Sequence, residues 1–133
     1  MNINQTLLLI GILNVCHYLA DYVTVTPWML AAKSKGKPIW LIILHANEHT
    51  LLMGIGICIY CIFFGFLPDL LMALALVLQL ISHSIIDIIK GRLNYFECIR
   101  NPARKTHWVI FGLDQLMHQT VILLMVYILN LNI

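Results

Sequence analysis

His83-Ser84-Ile85-Ile86-Asp87-Ile88-Ile89-Lys90 sets an imidazole, a carboxylate and an ammonium into an otherwise apolar run. In a helix, positions 83, 87 and 90 stand at i, i+4 and i+7 and project from one face. The same four-residue spacing recurs in three further apolar segments, as His17 with Asp21, His45 with His49, and Asp114 with His118. Six histidines and six acidic residues are present, and scattering such a set at random over this length yields about one i,i+4 pair. Four pairs, one in each apolar segment, point to a single shared site.

The setting of these pairs decides the fold class. Hydrophobic residues make up 61% of the chain and charged residues 11%, against about a quarter charged in soluble domains. The apolar residues come in runs long enough to cross the ~20-residue hydrocarbon span. The reading is an all-α membrane protein, a four-transmembrane-helix bundle forming a single domain over residues 1–133. Its helices are expected at about 6–32, 39–66, 69–92 and 102–129. Pro27 is expected to kink or end the first of these near the water interface. Leu67-Pro68 makes a tight turn, Asp69 caps the third helix, and Asn101-Pro102 opens the fourth. The start, Met1-Asn2-Ile3-Asn4-Gln5, lacks the basic region of a signal peptide, so the first segment is expected to stay.

All eight Lys and Arg lie in Lys33–Lys37 or between Lys90 and Lys105. By the positive-inside rule both loops are expected to be cytoplasmic and both termini non-cytoplasmic. Trp28, Trp40 and Trp108 flank these loops, where indoles anchor at the interface. Cys16, Cys58, Cys61 and Cys98 show no disulfide framework, and Cys58-x-x-Cys61 reads as small packing residues in a membrane helix.

Asp21, Asp87 and Asp114 would each oppose insertion by about 2.5–3.5 kcal/mol if they faced lipid. They are expected to face inward and meet a cation. The ligand set is His17, Asp21, His45, His49, His83, Asp87, Asp114 and His118. Imidazole nitrogen and carboxylate oxygen without thiolate suit Zn(II), Mn(II) or Fe(II) better than Cu(I) or an iron–sulfur cluster. Eight donors exceed one tetrahedral ion and suit two divalent ions. Glu48 reads as a general base or as a partner orienting a ligand. Lys90 reads as a contact for an anionic substrate or as a lysine snorkelling to the interface. Asn14, Gln79 and Gln115 are expected to orient ligands. Lys33 falls in a flexible loop, where its replacement is expected to have a small, salt-screened effect. The competing explanation is a bundle glued by His–Asp hydrogen bonds, worth about 1–2 kcal/mol each at best.

His17-Tyr18-Leu19-Ala20-Asp21-Tyr22, the lysine loop, the His45 and His49 pair, the stretch from His83 to Lys90 and Asp114-Gln115-Leu116-Met117-His118 together resemble a small bacterial and phage membrane-protein family, domain of unknown function 3307. The likeness runs from Asn14 to about Gln119. It departs at Thr24 and Thr26, where members often carry a glutamine shortly after the first aspartate. The resemblance implies a shared polar site in a bacterial inner membrane, with no established reaction. In architecture the chain is also similar, more loosely, to membrane-bound metal-dependent hydrolases.

The function expected is metal-dependent hydrolysis of a phosphate ester or anhydride, from a lipid or a nucleotide, at the cytoplasmic face. Two metal ions supply a hydroxide and clamp an in-line displacement, and the basic loops collect anions. The alternative is a divalent-metal or proton-coupled transporter using the same residues. A di-iron redox site fits less well, because such sites are rich in Glu-x-x-His and only Glu48 and Glu97 are present. The expected partners are the bilayer, the phosphorylated substrate and further copies of the chain, with no nucleic acid.

Overall fold

Thr26 and Pro27 break the first apolar segment in two. In the computed structural model, which describes residues 2–94 and 96–131, helix α1 spans Ile3–Tyr18 and continues as a π-helical stretch, Leu19–Thr24. Thr26 then takes an extended conformation, as a residue before proline prefers, and its side chain accepts a hydrogen bond from the Met29 amide. Pro27 occupies the first turn of α2, Pro27–Lys35, where its missing N–H costs nothing. Pro27 thus ends the first helix, as expected, and the rest of the segment expected to reach residue 32 forms a separate helix. Lys33 and Lys35 are helical, and the loop shrinks to Gly36–Pro38.

Helix α3 spans Ile39–Phe64 and α4 spans Leu70–Leu93. Asp69 caps α4 as expected, its Oδ1 accepting from the Met72 amide at 3.0 Å. The connection that follows holds a short helix, α5, Glu97–Arg100. Helix α6 spans Lys105–Asn130 and starts three residues later than Asn101-Pro102 promised. Asn101 spends its side chain on a turn, accepting from the Ala103 amide at 2.9 Å. The first turn of α6 leans on α5, with His107 Nδ1 2.8 Å from the Ile99 carbonyl oxygen.

Among the described residues, four stretches are long and apolar enough to cross a membrane: Ile3–Thr24, Ile39–Phe64, Leu70–Leu93 and Lys105–Asn130. Each follows its predecessor in the opposite direction, so one end of the bundle gathers α2, α5 and every Lys and Arg. The other end holds the start of α1 and the close of α6. The two ends differ in their cores. Away from the basic residues, Leu9, Leu13, Met53, Ile57, Ile122 and Met125 fill a buried apolar core. Towards the basic end the buried positions turn polar. The outer faces stay apolar, and Trp28, Trp40 and Trp108 stand exposed around the basic end.

Helix α2 folds back over α3 and α4 instead of extending away. Gly36 ends it with φ +65°, a left-handed conformation that glycine adopts without strain. Gly91 on α4 lets the turn settle, since a Cβ there would come 2.2 Å from Gly36 N and 2.3 Å from the Lys33 carbonyl oxygen. This close approach delivers Lys33 to the interior.

Candidate metal centre

The i,i+4 pairs meet because each helix turns its polar face inward at a similar depth. At ~1.5 Å rise per residue, His45 lies roughly 9 Å into α3, and Asp87 the same distance from the close of α4. His17, His45, His49, His83, Asp87, Asp114 and His118 are all buried. The Asp21 side chain is only 9% exposed.

Three donor atoms form a near-regular triangle. His45 Nε2 is 3.2 Å from His49 Nε2 and 3.2 Å from Asp21 Oδ1, and His49 Nε2 is 3.4 Å from the same oxygen. Ligands on a tetrahedral ion at ~2.0–2.1 Å stand roughly 3.3 Å apart, so the triangle has the edge length of such a site. His83 completes one four-residue group with Asp21, His45 and His49, and belongs also to a second group with Asp87 and His118. The His49 and His83 rings pack at 3.9 Å between centroids, and His83 and His118 at 4.3 Å. In the second group His83 Nε2 lies 3.4 Å from Asp87 Oδ2, and His118 Nε2 lies 3.7 Å from Asp87 Oδ1.

Six of the eight expected ligands therefore fall into two groups that share His83. The other two stand at the edges. His17 reaches Asp21 Oδ2 at 3.3 Å, and its ring packs on His49 and His118. Asp114 pairs through Oδ2 with Lys90 and accepts from Gln115 Nε2 at 3.2 Å, while its Oδ1 lies 3.6 Å from His118 Nε2. Lys90 also stands over the Phe111 ring.

The surrounding polar residues divide by geometry. Gln79 is paired with His83 Nδ1 at 3.3 Å, behind the ring. Glu48 is 3.7 Å from His45 Nδ1, so the imidazole separates its carboxylate from the donor triangle. The Asn14 side chain donates to the carbonyl oxygen of Ile10, its own helix.

Lys33 is the residue that sequence reasoning placed wrongly. Its Nζ stands 2.6 Å from Asp21 Oδ1, 2.9 Å from His45 Nε2 and 3.4 Å from Asp87 Oδ2. Burial opposes its charge, but Asp87 and then Asp21 outweigh that, holding the ammonium above the ordinary lysine value of 10.5. The stability this raised value contributes is complete at neutral pH and fades only as pH rises through it. The available signal was Thr26-Pro27, a cap followed by a helix-starting proline six residues before the lysine.

One ammonium does not satisfy the cluster. Both ring nitrogens of His17, His45 Nδ1, His49 Nδ1, His83 Nε2, both Asp87 oxygens and Asp114 Oδ1 are buried without a hydrogen bond. Buried polar atoms are paired as a rule, and so many unpaired nitrogen and oxygen donors in one place fit a site for divalent metal. A cavity of 220 Å³ beside Asp21, lined by Tyr22, Lys33, Ser34, Lys90 and Asn94, opens towards the basic end.

Fold and site together define a helical bundle of membrane-spanning character with a buried histidine–carboxylate cluster near its basic end. The chain belongs to the family described as Protein of unknown function (DUF3307), whose model matches residues 7–133. No curated protein and no solved structure matches it.

Proposed function

We propose that the protein is a metal-dependent membrane hydrolase acting on a phosphate ester or anhydride, with the basic end of the bundle cytoplasmic and both termini on the other side. The observation that carries the reading is the donor triangle of Asp21, His45 and His49, joined through His83 to Asp87 and His118. Asp21, His45 and His49 would hold one divalent ion and Asp87 and His118 a second, with the one free nitrogen of His83 completing either set. Bound there, Zn, Mn or Fe supplies Lewis acidity and a nucleophilic hydroxide near neutral pH.

The chain's own groups supply the rest. With its amide turned so that the oxygen accepts the Nδ1 proton, Gln79 leaves His83 Nε2 free to bind. Glu48, 3.7 Å behind His45 Nδ1, sets a negative charge beside that nitrogen on the side away from the triangle, the orienting role of the two expected from sequence. Asp114, with one oxygen unpaired and the other on Lys90, is the carboxylate placed to take a proton from the attacking water. Lys90 and Lys33 line the cavity through which an anion arrives. Water adds to phosphorus, the P–O bond to the leaving group breaks, and inorganic phosphate departs with the protonated alcohol or shorter phosphate.

Elemental mass spectrometry of protein purified without chelator, followed by phosphate release in detergent with Mn(II) or Zn(II), tests the reading. Bound metal with release is the expected result. Bound metal with no release, and metal- or proton-dependent flux in vesicles, would make the protein a transporter. Absence of metal would leave a bundle held by hydrogen-bonded His–Asp pairs.

A further inference from the structure

Lys90 lines two cavities of opposite character. One is the polar mouth beside Asp21. The other, 130 Å³, lies between α4 and α6 and is walled by Ile86, Ile89, Leu93, Ile110, Leu113 and Met117, with Lys90 and Asp114 at its inner side. A further cavity of 330 Å³ on the same seam shares Ile86 and Met117 with it and extends to Ser82 and Thr120. From Leu93 to Ser82 the seam runs roughly 16 Å along α4 at ~1.5 Å per residue. It is an apolar track into the bundle's side with a lysine at its basic end. A larger groove of 530 Å³ between α3 and α4 has no charged residue in its lining, so nothing in it selects a headgroup.

We infer that the substrate is a membrane lipid carrying a terminal phosphate, its chain lying in the α4–α6 seam and its phosphate at Lys90. The fate of that lipid rests on the hydrolase reading; its binding does not. A lipid lies in the bilayer with its headgroup at the interface and its chain towards the midplane, and the seam has that direction. Charge complementarity selects the headgroup: Lys90 stands where seam and polar mouth join, Lys33 is across the mouth, and every Lys and Arg of the chain is at this end. A soluble nucleotide has no part that fills the seam.

The test measures lipid retained by the full chain after extraction from phosphatidylcholine nanodiscs containing a minor share of dioleoyl phosphatidate. Wild type should hold phosphatidate enriched on the order of tenfold over phosphatidylcholine. Met117→Trp, which fills the seam, should remove the enrichment, and Leu123→Trp, on another exposed face of α6, should keep it. Leu113→Trp provides a second seam block should Met117→Trp not fold. Equal retention of both lipids, or enrichment untouched by either seam variant, would overturn the inference. Enrichment without phosphate release would refute hydrolysis and keep the lipid site. Release from a nucleoside triphosphate without lipid enrichment would refute the lipid site and keep hydrolysis.

Discussion

Lys33 Nζ stands 2.6 Å from Asp21 Oδ1, inside the bundle and against the donor triangle proposed to hold metal. A divalent ion at that triangle would face a positive charge almost in contact, so ion and ammonium compete for the same carboxylates. The lysine side chain has the neighbouring mouth, with Ser34 and Asn94, to move into.

That competition gives Lys33→Met a sign. Without metal the variant leaves the buried Asp21 and Asp87 carboxylates with their histidine neighbours but without the ammonium, a loss of about 3–5 kcal/mol for a broken buried pair. With saturating Zn(II) or Mn(II) the deficit should shrink, because an ion that binds only the folded state stabilises it. Thermal unfolding in detergent, with and without metal, reads both. A small, salt-screened change would return Lys33 to the solvated role expected from sequence.

His83 belongs to both donor groups, whereas His118 belongs to one. His83→Ala, which removes the one free nitrogen within reach of both groups, should therefore lower bound metal more than His118→Ala does. Elemental mass spectrometry decides between them. Equal loss in the two variants would mean that the groups do not act as two separate sites.

The pair formed by Lys90 and Asp114 separates substrate binding from proton transfer. Lys90→Met should raise KM for a phosphorylated substrate about tenfold or more, the loss of one charge-assisted contact, with metal content unchanged. Asp114→Asn should abolish phosphate release while metal stays bound. Unaltered kinetics in Lys90→Met would make that lysine an interfacial anchor, and loss of metal in Asp114→Asn would make the aspartate a ligand.

The contact of Gly91 with Gly36 is testable without any assay of activity. Gly91→Ala puts a methyl within 2.3 Å of the α2 backbone. The overpacking should cost about 1–3 kcal/mol and withdraw Lys33 from Asp21. Combined with Lys33→Met, the glycine change should then add less than its single effect. Full additivity of the two unfolding free energies would show that Gly91 does not act through Lys33.

The sequence by itself determined the four spans, the inward pairs and the layer they share, because these follow from the helical period and from the cost of exposing a carboxylate to lipid. His83, Asp87 and Lys90 share a face whatever the helix packs against. Gln79 likewise reaches His83 through its i,i+4 position. Only the tertiary structure decided which donors meet. His83 is common to two groups because α4 lies between α3 and α6, while Asp114 is drawn to Lys90 across a helix interface. Glu48 stands behind His45 for a related reason, the way α3 is rotated in the bundle. Lys33 is the largest departure. Its place depends on a break at Thr26, a left-handed Gly36 and a side-chain gap at Gly91, residues up to 65 positions apart whose cooperation no local pattern encodes.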